Sequence, residues 1–384
     1  MKGVYDLAWN INPQTVRTQI VAPQTYTNSG SPTFDSQNFV VSVHIPMNKS
    51  LFLAITALLL CSTTATAGED APTQRSPPSP DQRPILRIAE GLNDDGSLVK
   101  YYQRGLKYAI EYFGNHGPYY VYLLGPESEQ SVREIYHQRA MSRVNTNSKQ
   151  SAMEQIEAFL KQPNVVAEIQ AVLSGKSEGG LTWTQATPIL YEDVTTNASQ
   201  REQDPIENTW GALHEYHHVF QMAHCDTTQA RASDKHINSW MAEGMATYSS
   251  AKFMENMGLL NFKSYMLQLR KTGGNIGRPG INEFLTDTNA WQLENETYWD
   301  SEIAAPVYYM LGAWATAYLI HVQGVDEVVV LKSWYQDIPR IGKSAAFKKH
   351  MGLSLADFYK KFSLFIRQSD DDAMKIFQRQ ERVK

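Results

Sequence analysis

The residues best suited to chemistry in this 384-residue chain lie in one run, His214-Glu215-Tyr216-His217-His218. Residues four apart on a helix lie one above the other, so His214 and His218 can aim two imidazoles at one metal ion. Glu215 follows His214 directly, where its carboxylate can reach a water on that ion and act as general base. A second helical stretch, Trp240-Met241-Ala242-Glu243-Gly244-Met245-Ala246-Thr247-Tyr248, offers Glu243 as a third ligand. Two histidines and one carboxylate leave a coordination position of zinc open, as a catalytic site requires and a structural site does not. The positive charge remaining on such a site would bring the pKa of a water there to about 7. One zinc ion per chain is therefore expected, held by His214, His218 and Glu243, with Glu215 as the catalytic base.

Five of the ten histidines fall between His214 and His236, so the ligand pair has competitors. His217 lies on nearly the same face as His214, but a His214/His217 pair would place Glu215 less naturally. His224 falls at the third histidine of the pattern His-Glu-x-x-His-x-x-Gly-x-x-His, yet Gln221 stands where that pattern has its turn-forming glycine. The helix is expected to run on, which leaves His224 as the runner-up to Glu243. His217, His224 and His236 are expected to be dispensable for the metal. Thr247, one turn beyond Glu243, is placed either to orient a ligand or simply to pack.

Several elements must position these residues. Asp204-Pro205-Ile206-Glu207 reads as a helix start, with a cap, a proline in the first turn and a capping-box acid. Ile206, Trp210, Leu213, His217 and Phe220 recur at helical spacing, so the metal helix is expected to reach about His224. Asn238 or Ser239 caps the next helix, which runs to about Met257 and stops at Gly258. Upstream, Ile85–Ile88 and Tyr119–Leu124 read as strands. A third strand, Pro188–Tyr191, is assigned to a sheet edge because of its proline. Ser97–Phe113, Val132–Arg143, Ala152–Leu160 and Val165–Leu173 read as helices. Downstream, Pro306 opens a helix whose Gly312, Ala313, Ala315 and Ala317 are small enough for close packing. Helices then continue over Val325–Trp334, Ala345–His350 and Leu355–Phe365. The interval from Lys271 to Glu302, with Trp291 and Trp299, reads as a cleft wall or a surface excursion. The expected class is α+β: a small mixed sheet precedes the zinc-binding helix, and a helical C-terminal half follows it.

The two ligand segments resemble the gluzincin zinc metallopeptidases, the group that includes thermolysin, zinc aminopeptidases and bacterial collagenases. The resemblance rests on His214-Glu215-x-x-His218 and on Glu243 followed by Gly244, Ala246 and an aromatic residue. It is nearer the collagenase-like and uncharacterised peptidase-like branches than thermolysin. Tyr308-Tyr309-Met310-Leu311-Gly312-Ala313-Trp314-Ala315 and the stretch from Val325 to Phe365 extend it, so that it covers roughly residues 188 to 365. It implies a thermolysin-like architecture and zinc-assisted peptide hydrolysis. It also implies a tyrosine that stabilises the oxyanion, here Tyr309 with Tyr308 as runner-up, and an edge strand beside an extended substrate, here Pro188–Tyr191.

The rest of the chain bounds these readings. Apolar residues make up 42 % and charged residues 20 %, which suits a globular protein, and the net charge of -5 is the wrong sign for a nucleic-acid partner. Met47-Asn48-Lys49-Ser50, the apolar run Leu51–Leu60 and Ala65-Thr66-Ala67 make a secretory signal peptide over 47–67, with cleavage expected after Ala67. The run is too short for a permanent membrane span, which needs about 20 residues. Residues 1–46 are expected to be an extension outside the native chain, with Met47 as the true start. Residues 68–82 read as a linker, 83–200 as an N-terminal α+β part, 201–366 as the zinc-site and C-terminal helices, and 367–384 as a charged, solvated tail. Removal of Cys61 with the signal peptide would leave Cys225 without an intramolecular disulfide partner. The expected protein is a secreted or periplasmic zinc peptidase acting on a peptide or protein substrate. Its competitors are a binding protein that keeps the fold without turnover, and a hydrolase of a non-peptide amide or ester.

Overall fold

The computed structural model describes residues 85–88, 97–116, 118–124, 129–144, 148–174, 179–183, 191–195, 205–225, 237–271, 280–284, 293 and 307–382. In chain order the elements are β1 (Ile85–Ile88), α1 (Ser97–Phe113), β2 (Tyr119–Leu123), α2 (Glu129–Ser142), α3 (Ala152–Leu160), α4 (Pro163–Leu173), β3 (Gly179–Trp183), β4 (Tyr191–Thr195), α5 (Pro205–His224), α6 (Ser239–Asn256), α7 (Phe262–Lys271) and α8 (Ile281–Phe284). A turn of π-helix, Val307–Leu311, leads into α9 (Gly312–His321). The chain continues through α10 (Glu327–Leu331), a 3-10 segment (Ser333–Asp337), α11 (Ile338–Ile341), α12 (Lys343–Met351), α13 (Leu355–Ile366) and α14 (Asp370–Met374). A last 3-10 segment spans Lys375–Arg382. Among the described residues no helix is long and apolar enough to cross a membrane.

The expected α+β class is corrected. Helix accounts for 79 % of the fully described residues and strand for 3 %, so the molecule is mostly helical. The strands are short and pair in the order β1-β2-β4-β3, with β1 and β4 parallel to β2 and β3 antiparallel to β4. The β-prone Tyr119–Leu124 segment does form β2 over Tyr119–Leu123, but its Tyr119, Val121 and Leu123 join a core made largely by helices. Four of the five β2 residues are buried, Tyr122 in a second cluster with α2, α3 and α4, but four short strands cannot cover as much apolar surface as the long helices do.

Helix α6 is the centre of that core. Trp240, Met241, Met245, Tyr248, Phe253 and Met254 are buried on several of its faces. A helix apolar all round must be enclosed by others, and α5, α7 and α9 pack around it. Helix α1 shows the simpler one-sided pattern. Its Tyr102, Leu106, Ala109 and Phe113 recur every three or four positions, are buried, and face α5. Gly105 lets the two helices meet, since a Cβ there would lie 2.8 Å from the Thr209 carbonyl oxygen. The crossing of α6 and α9 is tighter still. A Cβ on Gly244 would lie 2.2 Å from the Gly312 backbone, and one on Gly312 would lie 2.5 Å from the Trp240 carbonyl oxygen.

The C-terminal stretch also departs from expectation. Residues 370–377 are not merely solvated: Ala373, Ile376 and Phe377 are buried, with Phe377 packed against Phe262 and Trp314. The buried Arg270 guanidinium holds them, donating to Asp370 at 2.7 Å and to the Ile366 and Gln368 carbonyls at 3.1 and 2.7 Å. The charges of this stretch concealed an apolar side at helical spacing. Residues 1–46, the signal peptide, the linker, Trp291 and Trp299 lie outside the described residues.

Alanine in place of Gly244 or Gly312 is expected to force α6 and α9 apart and to cost about 1–3 kcal/mol or more, the usual scale of overpacking. Chemical or thermal denaturation measures it. A Gly312→Ala protein as stable as the parent would show that the two helices do not meet there.

Candidate metal centre

Helices α5 and α6 supply three converging side chains. His214 and His218 sit one turn apart on α5, and Glu243 lies in the first turns of α6. His214 Nε2 is 3.1 Å from His218 Nε2, and each nitrogen is 3.2 Å from Glu243 Oε2. All three residues are buried, and among the described residues they form the one group of histidine, cysteine and acidic side chains close enough to hold a metal ion. The spacing fits such an ion. Tetrahedral bonds of about 2.0–2.2 Å set neighbouring ligand atoms about 3.3 Å apart. Two ring nitrogens and a carboxylate oxygen at this spacing compete for a single proton, whereas one cation engages all three.

The electrostatics follow from burial and proximity. Burial alone would push the Glu243 carboxyl up, but the two facing imidazoles outweigh it and hold the group below the usual carboxylate range. Burial likewise pulls His218 down, and the charge and hydrogen bond of Glu243 reverse this, raising it to about 9. Glu215 is partly exposed at the same place, and its charge acts on both His218 and Tyr309.

Tyr309 lies in the π-helical turn and reaches the site. Its ring stacks on His214 at 5.5 Å between centroids and 13° between planes. Burial, followed by the charges of Glu243 and Glu215, keeps its hydroxyl protonated well above the usual tyrosine range. Tyr308 is fully buried within the core. Trp210, one turn before His214, stacks near-parallel on the same imidazole at 4.5 Å. The sequence placed Trp210 only on an apolar stripe. Its four-residue spacing from His214 was the signal that it could touch the ring.

The other candidates lie elsewhere. His217 faces the core, with Nδ1 2.6 Å from Ser249 Oγ and its ring against Phe113, and burial lowers it far below the usual histidine range. His224 turns away from the three ligands: its Nδ1 meets the Phe220 carbonyl at 2.9 Å and its ring packs on Phe220 and His116. The helix does run on through Gln221, as the missing glycine implied. Thr247 is buried, and its hydroxyl has no hydrogen-bond partner among the described residues, so it packs rather than orients a ligand. Gln221, noted only as a residue that was not glycine, accepts from His218 Nδ1 at 2.8 Å. His236 and residues 188–190 lie outside the described residues. Tyr191, the one described residue of that expected strand, begins β4, which is flanked by β2 and β3. The edges are β1 and β3, and β3 packs against α5.

In protein stripped of metal by a chelator, the His218 imidazole is expected to titrate near the value of about 9. In Glu243→Gln it should fall, because burial is then opposed only by the Glu215 charge and the Gln221 hydrogen bond. Histidine NMR titration of the two proteins reads this directly, and an unchanged His218 would mean that the carboxylate does not face it.

Comparison of the chain with protein-family models, with curated proteins and with solved structures finds no match, so the site is read from its own geometry.

Proposed function

We propose that the protein is a zinc-dependent hydrolase that cleaves peptide bonds. One observation carries the reading: His214 Nε2, His218 Nε2 and Glu243 Oε2 converge within 3.2 Å of one another, with Glu215 next to the first of them in the chain. The donor set of two neutral imidazoles and a carboxylate suits zinc with a position left for water. When bound, zinc supplies Lewis acidity, polarising a carbonyl and making water nucleophilic near pH 7. Glu215, in the more accessible part of the site, takes a proton from the attacking water and passes it to the leaving amine nitrogen. Tyr309 donates its hydroxyl proton in a hydrogen bond to the developing oxyanion, a task that suits a group held protonated. Trp210 and Tyr309 keep the His214 ring in plane between them. The apolar run Leu51–Leu60 and the Ala65-Thr66-Ala67 site support export of the enzyme from the cytoplasm.

Elemental analysis of the purified protein is expected to find about one zinc per chain. His214→Ala, His218→Ala and Glu243→Ala should each lose it, whereas His217→Ala and His224→Ala should retain it. Glu215→Gln should keep metal and fold but hydrolyse a peptide library about 100-fold more slowly or worse. Wild-type rates in Glu215→Gln, or metal retained by His218→Ala, would overturn the proposal.

Tyr309→Phe removes one oxygen and leaves the ring stacked on His214. It should lower kcat about 100–1000-fold, the scale of one lost oxyanion donor, with little change in KM or metal content. The same change at the core residue Tyr308 should leave kcat alone. Reversal of the two results would reassign the role.

A further inference from the structure

The two imidazoles of the metal centre are held in different ways. His214 is clasped between aromatic rings, and its Nδ1 has no hydrogen-bond partner among the described residues. His218 is held by a polar side chain, Gln221, which is itself almost fully buried. The orientation of that amide is determined by its surroundings. Its nitrogen donates to the Ala242 carbonyl at 3.1 Å and to the Tyr335 hydroxyl at 3.0 Å, so both N–H groups have acceptors. Tyr335 can accept because its own proton goes to the Met245 sulfur at 3.0 Å. The amide oxygen must therefore be the atom 2.8 Å from His218 Nδ1, and Nδ1 must carry the proton. A neutral imidazole protonated at Nδ1 has its lone pair on Nε2, the atom that faces His214 and Glu243.

The second partner of the amide matters as much as the first. Ala242 immediately precedes Glu243, so the same side chain that orients one ligand on α5 also grips the backbone beside another ligand on α6. Building on the zinc-site reading above, we propose that Gln221 is the positioning residue of the metal centre. It selects the His218 tautomer that presents Nε2 and couples that imidazole to the turn of α6 that carries Glu243. Partners of metal-bound histidines commonly change metal affinity about 10–100-fold when lost.

The test uses Co2+ as probe on full-length protein, with affinity from chelator competition and geometry from the visible absorption bands. Gln221→Met keeps an unbranched side chain of similar length but loses the acceptor and both donors. Gln221→Glu keeps an acceptor for Nδ1. Gln221→Met is expected to bind Co2+ about 10–100-fold more weakly and with altered bands, while Gln221→Glu, which keeps the Nδ1 acceptor but cannot donate to Ala242, keeps the parent bands and binds Co2+ with an affinity between the two. Circular dichroism of the metal-free variants establishes that they are folded, and a purely structural glutamine would lower melting temperature without changing the bands. If folded Gln221→Met binds Co2+ as the parent does, with the same spectrum, the inference is overturned and the metal site stands. Should Gln221→Met not fold, Gln221→Glu decides alone: parent-like bands support the role, and loss of Co2+ by folded Gln221→Glu overturns it. A wild-type protein that takes up no Co2+ overturns the metal-site reading and this inference together.

Discussion

Helices bring their backbones into contact only where neither carries a side chain at the crossing, and α6 meets α9 in this way at Gly244 and Gly312. The rest of the site depends on that contact. Gly244 follows the ligand Glu243, and Gly312 follows the π-helical turn that carries Tyr309. Pressing the two glycines together brings the tyrosine ring to His214 and puts its hydroxyl in the field of Glu243. A π-helical turn is wider than an α-helical one and is costly enough to be kept short. Here it occupies the five residues before the crossing, where the chain must aim Tyr309 across to α5.

Close packing also explains how a carboxylate survives in the core. Glu243 is buried on a helix whose neighbours are almost all apolar, and an isolated charge there would be strongly disfavoured. The two imidazoles of α5 are its compensation, and the three groups are balanced only as a set. The interlocking partners are equally specific. Gln221 answers His218, Ser249 answers His217, and aromatic faces enclose His214. The polar groups of α5 are thus sorted by direction: one side faces Glu243, and the other is neutralised inside the core.

The helices around this centre are tied at a distance from it. Arg270 gathers the end of α13 and the start of α14, and Trp314 of α9 lies beneath its guanidinium. The C-terminal residues thereby pack on α7 and α9, with Phe377 against Phe262 and Trp314. The buried Arg270 charge is satisfied by two carbonyls and a carboxylate.

Local rules determine much of this in the sequence. The spacing of His214 and His218 places them on one helical face, the proline and acid at the start of α5 mark its beginning, and Gly258 marks the end of α6. The absence of glycine at Gln221 was enough to keep His224 on the helix and away from the cluster of His214, His218 and Glu243. These features depend on neighbours within about four residues, which a sequence displays directly. Tertiary packing decided the rest. Strand signals such as Tyr119–Leu123 could not reveal that the core would be built by helices, because strand content matters only once faces are paired. Nor could spacing show that Gln221 reaches the carbonyl of Ala242, that Trp210 and Tyr309 enclose one imidazole, or that residues 370–377 pack down on Arg270. Each of those contacts joins segments far apart in the chain or selects one rotamer among several. Only the folded arrangement of helices chooses between them.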